Sequence, residues 1–293
     1  MRRDQAPAPS AADCWSVRGR VLSLARPLVM GIVNVTPDSF SDGGQHSTHG
    51  QALAHAQRLI EEGADILDIG GESTRPGAAD VPLAEELDRV VPLIESLAAA
   101  GIPLSVDTSK PDVMRAALDA GAAIVNDVYA LRAPGALDVV AASDCGVVLM
   151  HMQGVPRTMQ VEPRYDDVVA EVAGFLRQRL AALQAAGVKG ERIALDPGFG
   201  FGKTVEHNFT LLRELPRLAG LGCAVVAGMS RKSMLGAVTG RALGERVTAS
   251  VVGAVLAVER GARVVRVHDV AATRDGLRVW EAMQGGQARG ETR

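Results

Sequence analysis

From about residue 28 to residue 283, short apolar runs alternate with longer stretches whose apolar residues recur every three or four positions. The short runs predict strands at 28–35, 66–70, 103–107, 123–126, 146–151, 193–196, 224–228 and 264–268. They are apolar along their length, as parallel strands covered by helices must be. The longer stretches predict helices at 49–62, 84–100, 111–119, 165–186, 206–215, 246–259 and 272–283, with a short one within 135–143. Gly63, Gly101, Gly121, Gly187 and Gly261 stand just past helix ends, where a left-handed cap favours glycine.

Strand and helix alternating about eight times predict an α/β chain folded as a single (β/α)8 TIM barrel. In such a barrel the active site lies at the C-terminal ends of the strands. A doubly wound open sheet competes, but its glycine fingerprint is missing after the first strand. Residues 1–20 are rich in Ala, Pro and Ser and predict a loose extension, 21–284 the barrel, and 285–293 a flexible tail.

Polar residues collect where the apolar runs stop: Asn34, Asp68, Asp107, Asn126, His151, Asp196, Arg266 and His268. One such residue is often only a helix cap, and Asp107-Thr108-Ser109-Lys110-Pro111 reads as a good one. Nearly every strand ending this way points to a shared site. The stretch Asp196-Pro197-Gly198-Phe199-Gly200-Phe201-Gly202-Lys203 joins an acid to a glycine-rich turn carrying two rings, a composition suited to a wall for something flat. The first loop, 34–44, is long, polar and glycine-ended like a lid, and Asn34 offers a hard oxygen suited to Mg2+ beside phosphate. Gly70-Gly71-Glu72-Ser73-Thr74-Arg75-Pro76-Gly77 suits an anion, although it lacks a Walker ending. Lys232, in Gly228-Met229-Ser230-Arg231-Lys232-Ser233, reads as a point charge or as a Schiff-base nucleophile. Alternation points Arg266 and His268 to the same side. Asp107, Asn126 and Asp196 look less like a proton-transfer pair than like a hydrogen-bond template for an amidine-like ring edge.

Composition narrows the class. A formal net charge of −3 and 3% aromatic residues give no footing for nucleic acid. Cys14, Cys145 and Cys223 show no metal or disulfide spacing and fit a reducing compartment. No signal peptide or transmembrane run is visible, so a soluble, cytoplasmic protein without a membrane partner is expected.

Taken together, these loops resemble those of the dihydropteroate synthase family, in the right order from about residue 28 to 283. The matching stretches start at Asn34, Gly70, Val106, Asn126, Asp196, Gly228 and Arg266. The resemblance implies a Mg2+-dependent transferase joining p-aminobenzoate to 6-hydroxymethyl-7,8-dihydropterin diphosphate, with release of pyrophosphate. It implies that Asp107, Asn126, Asp196 and Lys232 hold the pterin edge, with Arg266 stacked on the ring and Met150 beneath it. Asn34 would sit at the metal, while Thr74, Arg75, Arg266 and His268 hold pyrophosphate. Thr74, Pro76, Phe201 and Ser233 would frame p-aminobenzoate, and Asp38 would close over the reacting carbon. Phe199 is then expected in the core and Lys203 at the surface. A folate-binding methyltransferase domain of the corrinoid-dependent kind, or a silent pterin-binding paralogue, remains as a competing reading. The helix at 246–259 has no clear solvent face, and with the family's habit this predicts a homodimer.

Overall fold

Within each strand, alternate side chains point into a barrel and out towards its helices. The computed structural model describes residues 13–35, 45–74, 77, 80–155 and 157–285, without the side chains of 45–48. It opens with an antiparallel hairpin, β1 (Cys14–Val17) and β2 (Arg20–Ser23). Eight parallel strands follow: β3 (Leu28–Asn34), β4 (Ile66–Gly70), β5 (Leu104–Asp107), β6 (Ile124–Asp127), β7 (Gly146–Met150), β8 (Ile193–Asp196), β9 (Ala224–Ala227) and β10 (Val264–Val267). They close in chain order, with β10 pairing both β9 and β3. All eight expected strands are present to within about a residue at each end, the usual uncertainty of such boundaries.

The helices between them are α1 (Gln45–Glu61), α2 (Leu83–Leu97), α3 (Pro111–Ala120), α4 (Ala136–Ala141) and α5 (Val168–Ala185). After β8 come α6 (Val205–Arg213) and α7 (Leu215–Ala219), then α8 (Ser233–Thr239), α9 (Val247–Glu259) and α10 (Val270–Met283). The single helix expected at 206–215 is thus two, because Pro216 in the first turn of α7 cannot continue α6. The cap expected before α3 also differs. Lys110 takes the N-cap position without a side-chain bond, while Pro111 opens the helix and Thr108 Oγ1 accepts from the Lys110 N–H at 3.2 Å and donates to Glu86. No helix among the described residues is long and apolar enough to cross a membrane.

The hairpin corrects part of the expectation for residues 1–20. Residues 14–20 are ordered, and Trp15 and Val17 are fully buried. They share one cluster with Met30, Ile66, Ile124, Val148 and Val264, the inward residues of the lower barrel. Small inward residues, Ala194 and Ala224, leave room for the indole, and its Nε1 donates to the carbonyl of Arg192 at 3.0 Å. At Gly146 any Cβ would sit 2.4 Å from Val17, so that strand start accepts the plug only as glycine. The composition of residues 1–12 hid an amphipathic hairpin directly behind them. Among the described residues the hairpin fills the N-terminal mouth, and a site at the opposite end is where such barrels carry theirs.

Candidate active site

The same alternation that makes the lower barrel apolar carries polar side chains inward one layer higher. Met30 and Ile66 are inward, so Asn34 and Asp68 are too; Ile124 places Asn126 inward and Ala194 places Asp196 inward. Asp68, Asp107, Asn126 and Asp196 are all buried. Arg266, from the last strand, reaches across them. Its Nε donates to Asp68 Oδ2 and its Nη2 to Asp107 Oδ2, both at 2.6 Å. Asn126 Nδ2 donates to the same Asp68 oxygen at 3.0 Å. Asp68 Oδ1 is buried with no hydrogen-bond partner among the described residues, so the bonds from Arg266 and Asn126 both fall on Oδ2.

Two carboxylates around one guanidinium leave a surplus of negative charge. Burial, reinforced by Asp68 and Asp127 against the pull of Arg266, pushes Asp107 up to about 7. Burial disfavours the Arg266 cation, but Asp68 and Asp107 outweigh it and hold its pKa above the ordinary arginine value. Asp196 is raised by burial and held back by Lys232 and by the Gly198 N–H, which donates to its Oδ1 at 2.7 Å. Lys232 is itself pushed down to about 8 by burial, with Asp196 opposing. Its ammonium donates to the carbonyl of Phe199 and lies 4.5 Å from the centroid of the Phe201 ring.

The loop after β8 is folded by necessity. Gly198 has φ +68°, and a Cβ there would lie 1.9 Å from the carbonyl oxygen of His151; at Gly202 a Cβ would meet Gln153 O at 2.6 Å. The Phe201 ring packs against Met150, Val128, Met152 and Met159, while Phe199 is wholly buried in the outer core, as expected. Met150 thus forms part of an apolar shelf beside the polar template.

The remaining expected residues divide into two groups. Asn34 is half-buried at the end of β3, paired in register with Gly70, and Thr74 is half-buried beyond β4. His268 Nδ1 lies 3.0 Å from Ser230 Oγ, and Ser233 is exposed at the start of α8. Asp38, Arg75 and Pro76 lie outside the described residues. The base of the second loop is tied down by Lys110. Its Nζ lies 2.5 Å from Glu72 Oε2 and from Glu86 Oε2, and Thr108 Oγ1 donates to Glu86 Oε1 at 2.6 Å.

Two residues have a larger part than their sequence suggested. Asp68 ends no strand, yet it anchors Arg266; its even spacing from Ile66 carried that signal. Lys203 is not at the surface as expected. It is 3% exposed, with Nζ 2.9 Å from Gly198 O, 3.0 Å from Phe201 O and 3.0 Å from His151 Nδ1. Chain reversal at Gly202 turns the lysine under its own loop.

The profile of the pterin-binding enzyme family matches residues 30–268. A dihydropteroate synthase of Neisseria meningitidis serogroup C is 52% identical over 278 residues, which is 93% of this chain and 98% of the relative. The Escherichia coli K12 dihydropteroate synthase is 49% identical over 266 residues, 90% of this chain and 94% of the relative. The chain belongs to the dihydropteroate synthase family. Among solved structures, a Xanthomonas albilineans dihydropteroate synthase with 4-aminobenzoic acid superposes with TM-score 0.88 at 57% identity, covering 94% of this chain and 99% of that one. A Burkholderia cenocepacia dihydropteroate synthase complexed with 7,8-dihydropteroate superposes with TM-score 0.85 at 54% identity, covering 93% and 96%. The inward-facing Asp68, Asp107, Asn126, Asp196 and Arg266 therefore lie in a dihydropteroate synthase barrel, at the end where such barrels carry their sites.

The electrostatics predict a pH dependence of folding. The folded pKa of Asp107, about 7, exceeds its ordinary value of 3.8. The folded protein therefore holds a proton that the unfolded chain releases. This contribution to stability is fully present below the unfolded pKa and is lost as pH rises through the folded one. Asp107→Asn, which cannot titrate, is expected to flatten the loss between pH 4 and pH 7 by up to a few kcal/mol. Urea midpoints of both proteins across that range measure the difference; parallel curves would show that Asp107 carries no raised pKa.

Proposed function

We propose that this protein is a dihydropteroate synthase, forming 7,8-dihydropteroate and pyrophosphate from 6-hydroxymethyl-7,8-dihydropterin diphosphate and p-aminobenzoate. The observation that carries the reading is the buried set Asp107, Asn126 and Asp196, with Lys232 and Arg266 beside it, in a chain of this family. Carboxylates accept paired N–H bonds from an amino-pyrimidine edge, the amide donates and accepts, and the guanidinium face suits a flat ring. Met150 supplies an apolar floor.

The bond that breaks joins the exocyclic CH2 of the pterin to the diphosphate oxygen, and the bond that forms joins that carbon to the amine of p-aminobenzoate. The amine is nucleophilic without a base, so the site must mainly stabilise the departing pyrophosphate and exclude water. Arg266 and His268, at the end of β10, are the described groups suited to that charge, and the family resemblance assigns Thr74 and Arg75 to the same pyrophosphate. Phe201, Thr74, Pro76 and Ser233 are assigned to p-aminobenzoate and Asp38 to closure over the reacting carbon. Lys232 acts in this reading as a charge and donor, not as an imine-forming amine.

A hard dication fits the donor set. Asn34 offers a neutral amide oxygen at a strand end, and no cluster of three His, Cys, Asp or Glu among the described residues could hold an ion unaided. Mg2+ commonly takes such a single protein ligand together with phosphate oxygens and water. When bound, Mg2+ would withdraw charge from the leaving diphosphate. The deciding experiment is pyrophosphate release from the two substrates, with Mg2+ and with excess EDTA. Release that needs both substrates and Mg2+ is expected, and Asp196→Ala should weaken pterin binding by about 2–5 kcal/mol by leaving buried donors unpaired. No release from the folded wild-type protein sinks the assignment.

The homodimer is proposed on exposed apolar surface. Val252 and Leu256 on α9 are 52% and 46% exposed, and Val279 and Met283 on the adjoining α10 are 72% and 66% exposed. Pairs spaced by four residues on two neighbouring helices form strips that a second copy could cover. Sedimentation at micromolar concentration should report a dimer, and Leu256→Asp should shift it towards monomer. A monomeric wild type would refute this.

A further inference from the structure

Lys203 is a buried amine with no carboxylate in hydrogen-bond contact among the described residues. Burial pushes its pKa down to about 7 against the pull of Asp196, so an ammonium is kept there only where its donors are satisfied. An ammonium has three N–H donors, and Gly198 O at 2.9 Å, Phe201 O at 3.0 Å and His151 Nδ1 at 3.0 Å surround this one, with His151 O farther off at 3.5 Å. His151 can accept at Nδ1 only as the neutral ring. Burial, with Lys203 beside it, drives its pKa down to about 3. The imidazole is fixed by Phe175, edge-on at 5.0 Å between ring centroids. Tyr165 adds a fourth tie, its hydroxyl donating to Gly202 O at 2.8 Å.

The two carbonyls that Lys203 gathers belong to the loop carrying Phe201, whose own N–H donates to Gly198 O at 3.1 Å. With both carbonyls accepting from Lys203, any rotation of the backbone under the Phe201 ring would break these bonds. The ring is left between the Met150 shelf and the Lys232 ammonium. We infer that Lys203 is a positioning residue for the p-aminobenzoate subsite, fixing the Phe201 wall from beneath the loop without touching substrate. The inference rests on the assignment of Phe201 made under the proposed function.

The test measures KM for each substrate, kcat and thermal midpoint in Lys203→Met, His151→Phe, Phe201→Ala and the Lys203→Met/Phe201→Ala double variant. Lys203→Met is expected to raise KM for p-aminobenzoate roughly tenfold or more while KM for the pterin diphosphate stays within about threefold. His151→Phe, which removes one acceptor and keeps the bulk, should shift the same constant in the same direction by less. In the Phe201→Ala background, Lys203→Met should add little, because it acts through the missing ring. A Lys203→Met protein that raises both KM values alike, or neither, overturns the inference. So do additive effects in the double variant. Should Lys203→Met fail to fold, an unchanged p-aminobenzoate KM in His151→Phe overturns it instead. Phe201→Ala with unchanged KM would overturn the wall assignment itself, a separate failure from that of Lys203.

Discussion

One guanidinium shared by two buried carboxylates governs the upper barrel. Arg266 reaches from the last strand to Asp68 on β4 and Asp107 on β5, across the seam where β10 closes on β3. Each group would be costly alone in that interior, and each is tolerable because the others are there. Asn126 is drawn into the same network through Asp68. Burial, with Asp68 and Asp127 adding to it against Arg266, raises Asp107, and the acceptor-rich layer suits a ligand edge that presents N–H donors. A site for such a ligand is thus a consequence of how the barrel neutralises its own polar layer.

Opposite that network, the loop after β8 solves a different problem. It must bring an acid, a ring and a lysine together within a few residues of a strand end. Glycines at 198 and 202 allow backbone approaches that a Cβ would forbid, and Lys203 consumes the carbonyls this tight path leaves over. Asp196 is held by the loop's own N–H and balanced by Lys232, whose ammonium also covers Phe201. The polar template and the apolar wall are therefore parts of one short segment, so displacement of either would be felt by the other.

The barrel was legible in the sequence because strand and helix periods alternate with little interruption, and the strand-end acids, amide and arginine follow directly from that pattern. What escaped depended on three-dimensional return. Trp15 and Val17 lie just after an Ala- and Pro-rich segment whose composition suggested a loose extension, and their burial comes from a cavity formed by strands far along the chain. Lys203 follows three glycines and two rings, a context that suits a surface turn; its burial comes from reversal under His151, fifty-two positions earlier. Asp68 was visible as a polar residue, but its partner is Arg266, 198 positions away. Contacts made across long sequence separations, apolar in the plug and polar at Lys203 and Asp68, are what local spacing does not encode.

If the shared guanidinium organises the site, then its anchor in the layer below must matter although it lies beneath the strand-end residues assigned to the ligand. Calorimetric titration of 6-hydroxymethylpterin into wild type and Asp68→Asn, both verified as folded, tests this directly. Asp68→Asn keeps an acceptor oxygen but removes the charge that pairs with Arg266, which should weaken binding by roughly tenfold or more, ~1.4 kcal/mol at least. Equal affinities in the two folded proteins would contradict the account.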